Sequence, residues 1–336
     1  MNIILLVAIF AAFYNIKFVP YNKNYLSKKQ TDNLKGIFLI LVIFHHLRIF
    51  GGLGDVFEQF SNAGYLAVGV FLFISGFGLM VQYLCRGSNY IKTFPKKRLL
   101  TILFPAIIMG LIYFVVKNRI YGYSLHNLKM DFLRGSSVIS NGWYVTAIIY
   151  FYIMFFVSAL IAEIVHKRKI ALIGIILATG LYLVLCNTLH YEGHWYSPSL
   201  CFAYGTFWAC FKQKIEAKKL KGVITIILCL FAIYYLLVPS LHIEYGWAEF
   251  KCLMYITLIV ILGMRVVLNS KIMEWLGSVS YEVYLVHGLF FTLLRNNYVN
   301  ISNGFTFACS LFILTFICAF ILHKMFVRFF ELLKLK

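Results

Sequence analysis

Eleven long apolar stretches, cut by short polar segments, limit what this 336-residue chain can fold into. They fall near 2–19, 34–50, 63–84, 99–116, 143–165, 170–186, 198–211, 221–239, 250–268, 279–294 and 304–323. A helix needs about 20 mainly apolar residues to cross a hydrocarbon core of about 30 Å. Backbone groups in lipid must be satisfied internally, so only helices and closed barrels span. Barrel strands alternate apolar and polar residues, and these runs are unbroken. With 62% hydrophobic and 13% charged residues, and a mean hydropathy of +0.83, the chain carries more apolar surface than a soluble domain hides. The sequence predicts an all-α fold: a polytopic integral membrane helical bundle with about ten core transmembrane helices plus one extra N-terminal helix. Residues 1–30 form that helix and a basic linker, and 31–330 the core of a single domain, 1–336.

The net charge of +19 does not point to nucleic acid, because Lys and Arg gather in cytoplasmic loops of membrane proteins. If the loop after the first stretch is cytoplasmic, alternate loops hold 24 of the 31 Lys and Arg residues and the other side seven. That split predicts an N-terminus outside and a C-terminus in the cytoplasm. Eight cysteines show no CxxC pair and mostly lie within apolar stretches, which suits inert thiols. His190 and His194 bracket a loop containing Glu192 and Gly193, so no metal site is expected.

Within this frame, a few polar residues lie where they are costly. In Asp32–Leu47, His46 follows Lys35 by eleven positions. On a helix both share one face, about 16 Å apart along the axis. His45 points about 80° away from that face. An ionisable group deep in a membrane is a functional candidate, although a histidine also serves as a packing device that bonds a neighbouring helix. Ser75, Gly76 and Gly78 sit mid-stretch, where small residues allow close helix contact or leave room for a ligand. Lys96-Lys97-Arg98 opens a helix as snorkelling charge or as a phosphate dock, with Arg98 the best match to a phosphate. Ser280, Tyr284 and His287 share a face of a later helix. The long outer loop 117–142 leads into Trp143 and Tyr144, either an interfacial aromatic belt or a lip for a polar acceptor.

Together these residues resemble the acyltransferase 3 family of bacterial integral-membrane acyltransferases, over roughly 30–290. Lys35…His46, with Asp32 three residues earlier, is similar to its basic-x10-His element. Phe71–Phe77 resembles its Phe-rich Ser-Gly-Phe helix, and Lys97-Arg98 through Pro105 its basic-to-proline stretch. Asn141–Tyr144 resembles a Trp-containing helix start, Phe202–Gly205 a short glycine motif, and Gly277…Ser280…Tyr284…His287 the closing Ser/Tyr-Leu-x-His element. Three features depart from the pattern: Lys replaces the commoner Arg at 35, Thr101 stands where many members carry a second Arg, and the 2–19 helix is extra.

The resemblance implies a multi-pass bacterial inner-membrane enzyme that moves an acyl group, most often acetyl, from acetyl-CoA or another short acyl-CoA to a hydroxyl of a cell-envelope glycan. It uses no metal and no nucleic acid. Its partners are membrane lipids, acyl-CoA and the glycan; the sequence leaves the oligomeric state open. His46 is expected as general base or transient acyl carrier. Lys35, Lys97 and Arg98 would hold the donor, and Asp32 would orient Lys35. Ser75, Tyr284 and His287 would orient His46 or stabilise the oxyanion. Trp143 and Tyr144 are expected at the acceptor. A transporter or flippase for a glycan intermediate would also use mid-membrane polar groups, and a glycan polymerase would need outer carboxylates or arginines in a cluster that is not evident.

Overall fold

The computed structural model describes residues 2–49, 55–61, 63–134, 136–217 and 246–333, with 222, 226 and 230 between. Apart from those three positions, the apolar stretch 221–239 lies outside the described residues. The described chain is a helical bundle: α1 (Asn2–Phe13), α2 (Lys28–Ile49), α3 (Ala63–Arg86), α4 (Ser88–Phe94), α5 (Leu100–Tyr121), α6 (Leu125–Leu133), α7 (Trp143–Ile164), α8 (Ile170–Thr188), α9 (Leu200–Ala217), α10 (Trp247–Gly263), α11 (Lys271–Ser278), α12 (Ser280–Leu294) and α13 (Gly304–Leu332). Two-residue strands β1 (Lys17–Phe18) and β2 (Val266–Val267) pair antiparallel.

Among the described residues, five helical stretches are long and apolar enough to cross a membrane: Ala63–Arg86, Ser88–Tyr121, Trp143–Ile164, Ile170–Thr188 and Gly304–Leu332. The chain is therefore an all-α membrane bundle. Its other helices are shorter or carry polar turns, so the apolar stretches of the sequence do not map one-to-one onto such helices. The 12-residue α1 rises about 18 Å, well under the hydrocarbon thickness. The apolar stretch 2–19 is cut short because Asn15 takes a left-handed φ of 59° and the chain then extends into β1.

A second difference concerns the basic cluster. Lys96–Arg98 does not lie in a loop. A π-helical turn, Pro95–Leu99, joins α4 to α5 without a break. Such turns are rare and often occur at functional sites. Pro105 stands inside α5, where its missing N–H leaves the carbonyl of Thr101 without a helical partner.

Glycines set the closest crossings. At α2–α11, a methyl on Gly36 would collide with the Met273 carbonyl, and one on Gly277 with the Asp32 carbonyl. At α3–α9, Gly76 meets the Phe202 carbonyl and Gly205 the Phe73 carbonyl in the same way. Gly76 thus serves helix contact, whereas nothing lies within 4 Å of the Cβ position of Gly78. The basic linker clasps the segment before α11. The Gln30 side chain exchanges hydrogen bonds with the Leu268 backbone, donating to its carbonyl and accepting from its N–H, both at 2.9 Å. Ser270 donates to the Ala11 carbonyl at 2.6 Å, tying α1 to the same place. These contacts hold α2 and α11–α12 in fixed register around the site.

Candidate functional site

Two cavities meet at Tyr284. One, of about 340 Å³, opens among Lys35, Ser75, Arg98, Thr101, Tyr144 and Tyr281 at the basic end of the bundle; Tyr284 closes it. The other, of about 390 Å³, is lined by His45, His46, Tyr65, Trp143, Glu192 and His194 as well as Tyr284.

Beside the basic cavity, next to its lining residue Lys35, Asp32 is 3% exposed and bridges two cations. Its Oδ1 lies 2.7 Å from Lys35 Nζ and its Oδ2 2.8 Å from Lys28 Nζ. The i,i+3 and i,i+4 spacings on α2 put both lysines within reach. Arg98 reaches the cavity from the π turn. Lys97, one residue earlier, is exposed and does not line it. Glu282 and His323 also face this space and pair across α12 and α13, with His323 Nδ1 2.8 Å from Glu282 Oε1. Sequence reasoning missed this pair: it joins residues 41 apart, and neither belongs to a motif.

In the histidine cavity, His46 is 9% exposed and His287 1%. Their rings stack at 5.2 Å with 30° between planes. His287 Nδ1 lies 2.6 Å from the Tyr284 carbonyl. A carbonyl only accepts, so Nδ1 carries the hydrogen and Nε2 keeps a lone pair. That Nε2 and the Nδ1 of His46 are both buried without a hydrogen-bond partner. Leaving a polar atom unpaired in this way costs about 1–3 kcal/mol. Two such atoms in one stacked pair mark a place held for something other than stability. His45 is tied elsewhere, its Nδ1 2.9 Å from the Phe60 carbonyl.

Tyr284 is the partition. Its hydroxyl donates to the Asn141 carbonyl at 2.6 Å, and its ring packs edge-on to Tyr144 at 4.9 Å. Asn141 adopts a left-handed φ of 60° just before α7. Tyr113 donates to the Leu285 carbonyl at 3.2 Å, and Gly288 lets α12 approach Ser140 and Tyr113. The structure therefore brings Lys35, Ser75, Arg98, Tyr144 and Tyr284 to one space, and His46, Trp143 and Tyr284 to the other. His287 stacks on His46 from behind. Ser75 and His46 line different cavities, and the expected acceptor pair Trp143 and Tyr144 is split between them.

At the mouth of the histidine cavity, Trp143 packs against His194 at 5.5 Å and Trp195 at 6.4 Å. Burial pushes the His194 imidazole below its usual pKa, against the upward pull of Glu192. No group of three or more His, Cys, Asp or Glu able to hold a metal occurs among the described residues.

A charged pocket and a deep imidazole pocket share one tyrosine inside a membrane bundle. The model of the acyltransferase 3 family, described as an acyltransferase domain, matches residues 29–324. The chain belongs to the acyltransferase 3 family. That match covers the histidine cavity and all of the basic cavity except Phe326, Val327 and Phe330, and leaves α1 outside. No curated protein and no solved structure matches the chain.

Proposed function

We propose that this acyltransferase carries an acyl group, acetyl as the leading case, from acyl-CoA in the basic cavity to a hydroxyl of an envelope glycan in the histidine cavity. The observation that carries this reading is Tyr284, which lines both cavities and so marks the place where donor and acceptor would meet. The anionic donor suits Lys35 and Arg98. The basic end then faces the cytoplasm, where positive loops collect.

His46 acts as general base. As the acceptor oxygen attacks the thioester carbonyl, its proton passes to the imidazole. The tetrahedral intermediate then breaks its C–S bond, and the proton returns to the departing sulfur. Imidazole suits both transfers at neutral pH. The neighbouring lone pair on His287 Nε2 favours the transient imidazolium. The Tyr284 hydroxyl, which lines both cavities, would turn from the Asn141 carbonyl to donate to the developing oxyanion.

The test is transfer of labelled acetyl from acetyl-CoA to an envelope glycan extract by purified protein in vesicles. His46→Ala should lower turnover at least a thousandfold, within the loss expected for a general base plus its positioning, while CoA binding persists. Equal turnover by wild type and variant would remove His46 from the chemistry. Movement of glycan across the vesicle without acyl transfer would favour a transporter.

A further inference from the structure

The two cavities differ in charge, and that difference says which sugars the acceptor side admits. The basic cavity holds Lys35 and Arg98. The only formally charged side chain that lines the histidine cavity, among the described residues, is the Glu192 carboxylate. Arg48, further along α2, does not line this cavity and pairs with Glu58 at 3.3 Å.

Around this carboxylate the cavity offers a flat apolar ring and neutral hydrogen-bonding groups. Trp143 presents an indole beside His194 and Trp195. His194 Nδ1 lies 3.2 Å from Glu192 Oε2, and burial lowers its pKa against the carboxylate's upward pull. His46 leaves its buried Nδ1 unpartnered in the same space. A carboxylate accepts from two hydroxyls at once, and an indole face packs on the C–H face of a pyranose by dispersion and burial. A carboxylate or phosphate on the ligand would meet Glu192 with no lysine or arginine lining the cavity, among the described residues, to offset it; Glu192 is itself largely exposed, so this repulsion is strongest at low ionic strength.

We infer that Trp143, Glu192 and His194 form an acceptor subsite for an uncharged sugar unit and that they exclude sugars bearing a carboxylate or phosphate. This rests on the proposed acyl transfer only for the word acceptor; the binding itself needs no donor.

The experiment uses full-length protein in vesicles without acyl-CoA. Two probes of equal length are titrated by tryptophan fluorescence: an oligosaccharide of N-acetylglucosamine and one bearing glucuronate. Wild type should bind the neutral probe at least tenfold more tightly. Glu192→Gln should tighten uronate binding severalfold and so shrink the preference. Trp143→Ala should weaken the neutral probe at least tenfold, and Trp143→Tyr should restore most of it, read for both variants by isothermal titration. Equal affinity for the two probes, no binding of either, or an unchanged preference in Glu192→Gln would overturn the inference. Acetyl transfer is measured separately. Selective binding without transfer defeats the proposed reaction and leaves the subsite standing; transfer without selectivity does the reverse.

Discussion

The α2–α11 and α3–α9 crossings share one construction: a glycine from each helix lies on the backbone of the other. What stands beside the glycines differs. Next to Gly36 and Gly277 come Asp32, Lys35, Ser278 and Ser280, a run of polar groups of which the last three line the basic cavity. Next to Gly76 and Gly205, apart from Ser75, which lines the basic cavity, come mainly aromatic rings: Phe73 stacks on Phe77 at 6.4 Å, and Phe202 on Phe151 at 4.8 Å. Close approach is thus a neutral device. It brings together whatever its neighbours carry, which is charge at one crossing and packed aromatic rings at the other.

The sharpest way to break this comparison is to push each crossing apart. Gly36→Ala or Gly277→Ala forces a methyl into a backbone carbonyl that cannot rotate away. Overpacking of this kind costs about 1–3 kcal/mol, and here the shift also moves Lys35 and the start of α12. We expect more than tenfold loss of acyl transfer per folded molecule, with a lower melting temperature. Gly76→Ala or Gly205→Ala meets an equally rigid carbonyl and should lower the melting temperature by a similar amount, yet keep turnover per folded molecule within about threefold, since overpacking disturbs mainly its own neighbours. Thermal melts paired with activity per folded protein separate the two. Equal activity losses at both crossings would sink the distinction.

This pairing also shows what was legible from sequence. The bundle class followed from apolar run length, because lipid leaves few alternatives. Lys35 and His46 stood out because one helix fixes their spacing. The reciprocal glycines did not, since Gly36 and Gly277 are 241 positions apart and only the fold makes them neighbours. The Glu282–His323 pair and the partition at Tyr284 were hidden for the same reason. Which apolar runs become helices of membrane length was not legible from run length alone, because a left-handed residue such as Asn15 ends a helix inside an apolar run.

A smaller change sharpens the charged side of the comparison. Asp32→Asn keeps the shape next to Gly277 and removes the charge that holds Lys28 and Lys35. Hydrogen bonds to charged groups are worth about 1.5–3 kcal/mol, and Lys35, partly open to the cavity, recovers part of that from water. Lys35 then loses its fixed position. We expect KM for acyl-CoA to rise about tenfold, following the loss of one such bond, with kcat changing less. A kinetic titration over donor concentration checks it. A fall in kcat with unchanged KM would mean that Asp32 acts in the chemistry instead of in placing Lys35.

The smallest effect belongs to Gly78, two residues past Gly76 on the same helix. It is exposed, and no atom lies within 4 Å of its Cβ position. If close approach alone explains the glycines of α3, Gly78 has no such duty. Alanine there loses less backbone entropy on folding and should stabilise the protein by about 0.5–1 kcal/mol. Acyl transfer should be unchanged. A drop in donor affinity on Gly78→Ala, with the fold intact, would mean that a ligand lies against this bare stretch of backbone. That would extend the binding surface on α3 from Ser75 to Gly78.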